Sequence, residues 1–462
     1  MFELHDQNYD VPCYIHRAST LQTDCPIHVR DEDRRVLREL GRRYAEIAGL
    51  PVQEQRAREW TRLNGLEETR PLVWINEIPW SEMEIEDELT LRTSSDFSKR
   101  IESMLRMELY KWEHLQADMV VEPVIPSPKI ISNSGIGVAL DLQSTLYRSP
   151  SQFNEIFFAI TDPERQSSSR TVDELFEPFT FQIWDEDDIE KIQDPRVEHH
   201  EERTEAFYEA YDEVFEGIID VEPRGASGFW FAPWDDIAVF ADIRDIFDAM
   251  QTRPGYVHAL IDRVADAYLS ALDQYEALGL LATNNTNVRV GSGGYGYADE
   301  LPQPDPAEAV SSGDIWGAAT AQLFGKVAPD RFAEFALEYE MVWLERFGLS
   351  YYGCCESLDE KFEVLTRIPN LRKVSVSPFA SPARAAEVLG QDYVISLKPD
   401  PAVLFGDVWE PERARSEIHG ALDALCGCRV EILLKDIETV RGEPQRLWEW
   451  VEIVSEAARQ YE

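Results

Sequence analysis

The stretch Leu349–Lys361 reads LSYYGCCESLDEK and sets two cysteines side by side ahead of a glutamate, in a chain with six cysteines in all. A thiolate is a soft nucleophile and a good zinc ligand, and a nearby carboxylate can complete a catalytic zinc site that keeps one position open. Cys354 and Cys355 are therefore the candidate metal ligands, zinc is the metal they would take, and Glu356 is a candidate acid or base beside them. Bound zinc would lower a thiol's pKa and make it nucleophilic near neutral pH. The competing reading makes Cys354 a small buried hydrophobe, as free cysteine often is. Side chains alternate along an extended Leu349–Cys354, so Tyr352 is expected on the same face as Cys354.

Other motifs carry less chemistry. Cys13-x-x-His16 and Cys25-x-x-His28 form a short C-x₂-H-x₈-C-x₂-H pattern that would suit a structural zinc. VGSGGYGYADE (290–300) is glycine-rich but opens no helix, so it is not a phosphate loop; a mobile lid is the expectation. His114, His199, His200, His258 and His419 fall in helix-like segments and no histidine ends a strand. Acid–base work would thus fall to carboxylates, lysines or Tyr352.

Reactive groups from distant segments need a frame. After residue 348 the chain alternates strand-like runs with amphipathic helices: LSYYGC, KVSVS, YVISL and RVEILL are each followed by a helical pattern. Four such units in a row predict a parallel sheet covered by helices. Earlier runs at 71–77, 118–124, 227–233 and 279–283 raise the expected count to eight. That predicts a (β/α)₈ TIM barrel over 70–462, preceded by a helical extension over 1–69 and interrupted after strand two by an insertion at about 126–215. Helices are expected at 33–50, 96–115, 258–278, 330–347, 411–425 and 444–459, and the acidic run WDEDDIEK is read as a solvated helix start.

A barrel gathers its chemistry where its strands end. Those positions hold Asn76 and Glu77, with Trp80 just beyond; then Glu122; Trp234 and Asp235; Asn284 and Asn285; Tyr352 with the two thiols and Glu356; Ser377; Lys398; and Lys435 with Asp436. Tyr352, Glu356, Glu122, Lys435 and Asp436 are the candidate catalytic groups. Glu77, Trp80, Asn284, Asn285, Ser377 and Lys398 are the candidate substrate-binding groups. Cys426 and Cys428 precede the last strand and fall at the opposite end.

Composition bounds the partners. The formal net charge is −43, from 87 acidic and 44 basic residues. Nucleic acid and anionic membrane would be repelled at long range. No apolar run reaches the length of a membrane span, and MFELHDQNYD lacks the basic start and apolar core of a secretory signal. Sparse cysteines fit a reducing cytoplasm.

These residues resemble the uroporphyrinogen decarboxylase-like superfamily, which includes zinc-dependent, corrinoid-linked methyltransferases and is related to cobalamin-independent methionine synthase. RPLVWINEIPW is similar to that family's first strand. YYGCCES is similar to the strand carrying its His-x-Cys metal motif, VISLKPDPAVLFGD to its seventh-strand segment, and VEILLKDIETVRGEPQRLWEWVEIV to its final strand and helix. The resemblance implies the barrel, a methyltransferase activity on a small methylated substrate or a methylcorrinoid protein, zinc as metal, a corrinoid-carrying partner, and pairing into homodimers. The chain also departs from the pattern. Where the decarboxylases place arginines after strand one, it carries Glu77 and Glu82, which argues against a polycarboxylate porphyrin. Tyr352 stands at the metal histidine's place, and Lys435 and Asp436 stand where the methyltransferases keep a second cysteine. A decarboxylase or lyase of a small acid, with Lys398 or Lys435 holding the carboxylate, is the second expectation. A ligand-binding barrel without catalysis is the third.

Overall fold

The structure is a computed structural model that describes residues 25–138, 181–303 and 309–461. Cys13 and His16 lie outside those residues, so the predicted terminal zinc pattern does too.

The strands in chain order are β1 (Leu72–Ile75), β2 (Val124–Pro128), β3 (Ile131–Asn133), β4 (Val197–His199), β5 (Asp220–Arg224), β6 (Trp230–Phe231), β7 (Trp316–Ala319), β8 (Leu349–Tyr352), β9 (Leu371–Val376), β10 (Val394–Leu397) and β11 (Arg429–Leu434). Seven of them form one all-parallel sheet in the order β1-β11-β10-β9-β8-β7-β6. This is an α/β chain, and β1 and β7 to β10 are buried along their whole length, as a sheet covered on both faces requires. Arg372, the second residue of β9, is the one partial exception.

The hydrogen-bonded ladder does not close into the eight-strand ring that was expected. Two predicted strands are missing from it. At 118–124 the Asp118 carboxylate itself takes the Val73 N–H at 2.7 Å, so the bond a neighbouring strand would make goes to a side chain. At 279–283 there is a single parallel bridge, Ala226 to Leu281. The Asn284 side chain does the joining instead: its amide donates to Ser227 O and Trp316 O, and its oxygen accepts from Trp316 N. Conversely, β7 was not expected. Its Gly317, Ala318 and Ala319 lack the branched side chains that mark a strand in sequence.

The helices fall close to their predicted positions: Asp31–Ala48, Asp96–His114, Pro254–Ala277, Pro411–Ala424 and Gln445–Arg459. The run expected at 330–347 is broken by a π turn, Ala333–Leu337, between Pro329–Phe332 and Glu338–Leu344. WDEDDIEK forms an exposed 3₁₀ turn, Glu186–Lys191. At the two ends of the expected insertion β2 pairs in parallel with β5, and within its described part β3 pairs antiparallel with β4. The helix Pro51–Asn64 covers the N-terminal end of the sheet. Trp60 Nε1 donates to Asp118 O at 2.9 Å, and Asn64 Nδ2 donates to Tyr295 O and Tyr297 O. Among the described residues, no helix is long and apolar enough to cross a membrane.

The sheet curls so tightly that side chains two strands apart meet. Lys373 on β9 reaches Glu431 on β11 at 2.8 Å, across β10, with both side chains fully buried. The glycine-rich segment enters this concave face. Gly294 N donates to Glu431 Oε1 at 3.0 Å, and Lys373 Nζ donates to Tyr295 O. A Cβ on Gly293 would lie 2.5 Å from Tyr351 and 2.7 Å from Glu431. The expected mobile lid is therefore a buried plug, and its glycines are there because two walls approach the backbone.

Candidate active site

On the strands lining the concave face, every second side chain points inward, so Lys373 and Ser375 on β9 lead to Ser377 just past it, Ser396 on β10 leads to Lys398 just past it, and Glu431 on β11 leads to Lys435 just past it. The last of each series stands at the C-terminal end of the sheet, where parallel sheets carry their sites. Cys354 arrives there by a different route. Gly353 takes a φ of +96°, and a Cβ at that position would meet Leu358 at 2.7 Å and Ser375 at 2.9 Å. The left-handed residue breaks the alternation of β8. Tyr351 then faces inward, bonded to Ser292 and Ser396, whereas Tyr352 faces the covering helix and donates to Glu340 at 2.7 Å. The expectation that Tyr352 shares a face with Cys354 is corrected: Cys354 packs in the cluster that contains Tyr351, and Tyr352 belongs to the layer behind.

The Lys435 ammonium is the hub of the site. Its Nζ lies 2.7 Å from Asp436 Oδ2, 3.4 Å from Glu77 Oε2, 3.7 Å from Cys355 Sγ and 3.9 Å from Cys354 Sγ. The two sulfurs are 3.4 Å apart, and Cys355 Sγ also lies 3.4 Å from Asp436 Oδ2. Glu77 and Asp436 both adopt positive φ, 52° and 55°, outside glycine's usual monopoly. Held this way, Glu77 accepts from Asp436 N at 3.2 Å and from Arg289 Nη1 at 3.2 Å. Backbone strain at two adjoining charged residues is the kind a structure retains where geometry matters. Lys398 donates to Ser375 Oγ at 2.6 Å, to Cys354 O at 3.0 Å and to Ser292 Oγ. Glu356 turns back to accept from Cys354 N at 2.9 Å and from Thr320 Oγ1 at 2.7 Å.

These contacts divide the two thiols. Cys354 is drawn down to about 7, because the Cys355 thiol hydrogen-bonds to it and Lys435 and Lys398 stand nearby, against the opposing effect of burial. Cys355 is pushed well up by the same hydrogen bond, by burial and by Asp436. Cys354 is the more acidic of the two thiols, and the Cys355 proton hydrogen-bonds to its sulfur. Lys435 is raised by Asp436, both cysteines and Glu77, which together outweigh burial, so it stays charged. Glu77 is driven far down by Lys435 and then Arg289, although burial opposes them, and stays ionised. Asp436 is raised, by burial first and then by Glu77, with Lys435 opposing.

A zinc ion held by Cys354, Cys355 and Asp436 would share all three donors with the Lys435 ammonium, at 3.9, 3.7 and 2.7 Å. Two cations cannot occupy one such space without strong repulsion. Among the described residues, no three histidine, cysteine, aspartate or glutamate side chains are arranged to hold a metal. The residues as arranged do not fit zinc, and the cation at the thiols is Lys435.

Of the residues picked out in the sequence, Cys354, Cys355, Glu356, Lys435, Asp436, Glu77 and Lys398 converge. Ser377 ends the β9 series but serves a turn, accepting from Phe379 N and Ala380 N. The others stand elsewhere. Glu122 is bonded to the Tyr297 hydroxyl and lines a separate cleft with Glu108, Lys111 and Arg224. Asn284 is spent on the bonds that join 227 to 316, and Asn285 likewise holds Ala298, Leu301 and Pro302. Trp80 is buried in the main core against Tyr110. Sequence reasoning missed Arg289, Ser292, Thr320, Gln322 and Ser375. Thr320 and Gln322 follow the small-residue strand β7, so finding that strand would have found them. Arg289 and Ser292 sit in the glycine-rich segment, whose burial no local pattern announces.

No protein-family model matches the chain, and no curated protein does. Among solved structures, the chain is similar to a methyltransferase from Methanosarcina mazei at 11% identity, over 88% of this chain and 98% of that one, with a TM-score of 0.42.

Proposed function

We propose that the chain is an alkyl-transfer enzyme of the uroporphyrinogen decarboxylase-like type. In this reading the curled sheet is a barrel whose gap is filled by the Asp118 and Leu281 segments. The Cys354 thiolate relays a methyl group between a small methylated substrate and a corrinoid carried by a partner protein. The observation that carries the reading is the buried thiol pair held against Lys435, at the C-terminal ends of β8 and β11. A lone pair on Cys354 Sγ forms a bond to the methyl carbon, and the bond from that carbon to its donor atom breaks, the electron pair leaving with the donor. In the return step an acceptor nucleophile would take the methyl carbon, the C–S bonding pair returning to Cys354 sulfur; a corrinoid carried by the partner would supply that nucleophile. Lys435 stabilises the sulfur anion on both sides of the exchange, the electrostatic work that zinc would otherwise do.

The decarboxylase reading finds less support. Lys398 is already engaged by Ser292, Ser375 and the Cys354 carbonyl, and Lys435 by Asp436 and Glu77, so neither is free to hold a substrate carboxylate. The test is to incubate the purified chain with methylcobalamin and map modified peptides by mass spectrometry. The added mass of one methyl group on Cys354, absent in Cys354→Ser, is expected. An unmodified Cys354, or stoichiometric zinc whose removal abolishes methylation, would sink the proposal.

A further inference from the structure

Beyond the thiols, the ends of β6 and β7 carry a second polar pair that the relay does not use. Gln322 Nε2 donates to Asp235 Oδ2 at 2.8 Å, and both residues are more than nine-tenths buried. Their remaining oxygens, Asp235 Oδ1 and Gln322 Oε1, are buried with no hydrogen-bond partner. An unpaired buried acceptor bears its full desolvation cost unless something else supplies a donor. Two such acceptors side by side mark a place built for a group that brings N–H or O–H donors.

The pair is connected to the nucleophile through a short chain of contacts. Ala232, three residues before Asp235, packs in the same apolar cluster as Cys354. Thr320, two residues before Gln322, donates to Glu356, which in turn accepts from Cys354 N. Gly353 N donates to Ala319 O, tying the end of β8 to the end of β7. Charge narrows the class further. Asp235 is joined here by Asp236, bonded to the Tyr268 hydroxyl, by Glu356, and by Glu340, whose Oε1 also lacks a partner. The cations Lys435, Lys398 and Arg289 lie on the β10, β11 and glycine-loop side, each already bonded to oxygen acceptors, and Lys361, the buried lysine beside Glu356, is bonded to Gly325 O. Burial, and then Asp236, Cys354 and Glu356, raise Asp235 well above the ordinary carboxylate range. An arriving ammonium would relieve that cost by giving the carboxylate a counter-charge.

We propose that Asp235 and Gln322 form the recognition end of the substrate subsite and that the substrate of the relay is a small protonated amine, its N–H donors held by Asp235 Oδ1 and Gln322 Oε1. This deepens the methyl-relay reading and rests on it for the role of Cys354, but the binding claim is tested separately. The first experiment measures melting temperature with ethylammonium chloride, tetramethylammonium chloride and sodium acetate at equal ionic strength. Ethylammonium is expected to stabilise the chain more than tetramethylammonium, which has the charge without any N–H or O–H donor, and more than acetate. Asp235→Asn and Gln322→Met are each expected to weaken the ethylammonium effect, so that about tenfold more salt is needed for the same shift. The two variants guard against one of them failing to fold.

The second experiment alkylates Cys354 with 2-bromoethylamine and with iodoacetamide, each rate divided by that for free cysteine. Sulfur displaces bromide or iodide, which leaves with the bonding pair. The amine reagent is expected to gain on the neutral one in the native chain and to lose that advantage in both variants, with iodoacetamide unaffected. Equal stabilisation by ethylammonium and tetramethylammonium, or an amine preference that survives both substitutions, overturns the assignment. Selective ethylammonium binding with an unreactive Cys354 would instead uphold the subsite and remove the relay.

Discussion

Replacing Lys435 by glutamine removes the ammonium while keeping an N–H donor for Asp436 and Glu77. Two unit charges 3.9 Å apart at an effective dielectric of about 20 interact by about 4 kcal/mol, which corresponds to about three pH units on the sulfur. The loss will be smaller, because Asp436 and Glu77 lose the same counter-charge, take up protons more readily and so repel the thiolate less. A shift of about two pH units is expected, upward from the midpoint of about 7 in the native chain. The assay is the rate of iodoacetamide modification of Cys354 against pH, with the site read by peptide mass. At neutral pH the variant should react on the order of 100-fold more slowly, and the two chains should converge at high pH, where both sulfurs are ionised. A variant midpoint within about half a pH unit of the native one would refute the claim that Lys435 holds the thiolate.

Gly353→Ala should lower stability by about 2 kcal/mol or more in urea unfolding, because it places a Cβ 2.7 Å from Leu358 on backbone at φ +96°. It should also slow Cys354 alkylation, since the turn that presents the sulfur must shift; an unchanged rate would count against that role. Lys373→Met should cost about 3–5 kcal/mol by leaving the Glu431 carboxylate buried without its partner, and Lys373→Met with Glu431→Leu should recover most of the loss. A double variant no better than the single one would show that the pair holds the plug in place rather than balancing charge. Glu340 is raised to about 8 by burial and Glu356, against the Tyr352 hydrogen bond. The folded chain therefore keeps a proton that the unfolded chain releases above the ordinary carboxylate range, so this contribution to stability is complete in acid and is lost as pH rises toward 8. Glu340→Gln should accordingly gain on the native chain in melting temperature between about pH 5 and about pH 8; a constant difference would contradict it.

Local sequence determined a good deal of this protein. Amphipathic spacing and caps placed most of the helices within a few residues, because a helix needs only its own face and ends. The apolar runs marked β8 to β11, and the polar residues that follow them supplied the thiols, Glu356, Lys398, Lys435 and Asp436, since a strand's end is marked where its apolar run stops. Tertiary structure decided the rest. One left-handed glycine set which of Tyr351 and Tyr352 meets Cys354, and the two-residue period of a strand cannot announce its own interruption. A strand of glycine and alanine became legible only through its neighbours' hydrogen bonds. The carboxylate of Asp118 and the amide of Asn284 took bonds that ladder partners would have made, so two expected strands were lost. The cation beside the sulfurs proved to be a lysine from a segment 80 residues away, a choice that depends on how far the sheet curls.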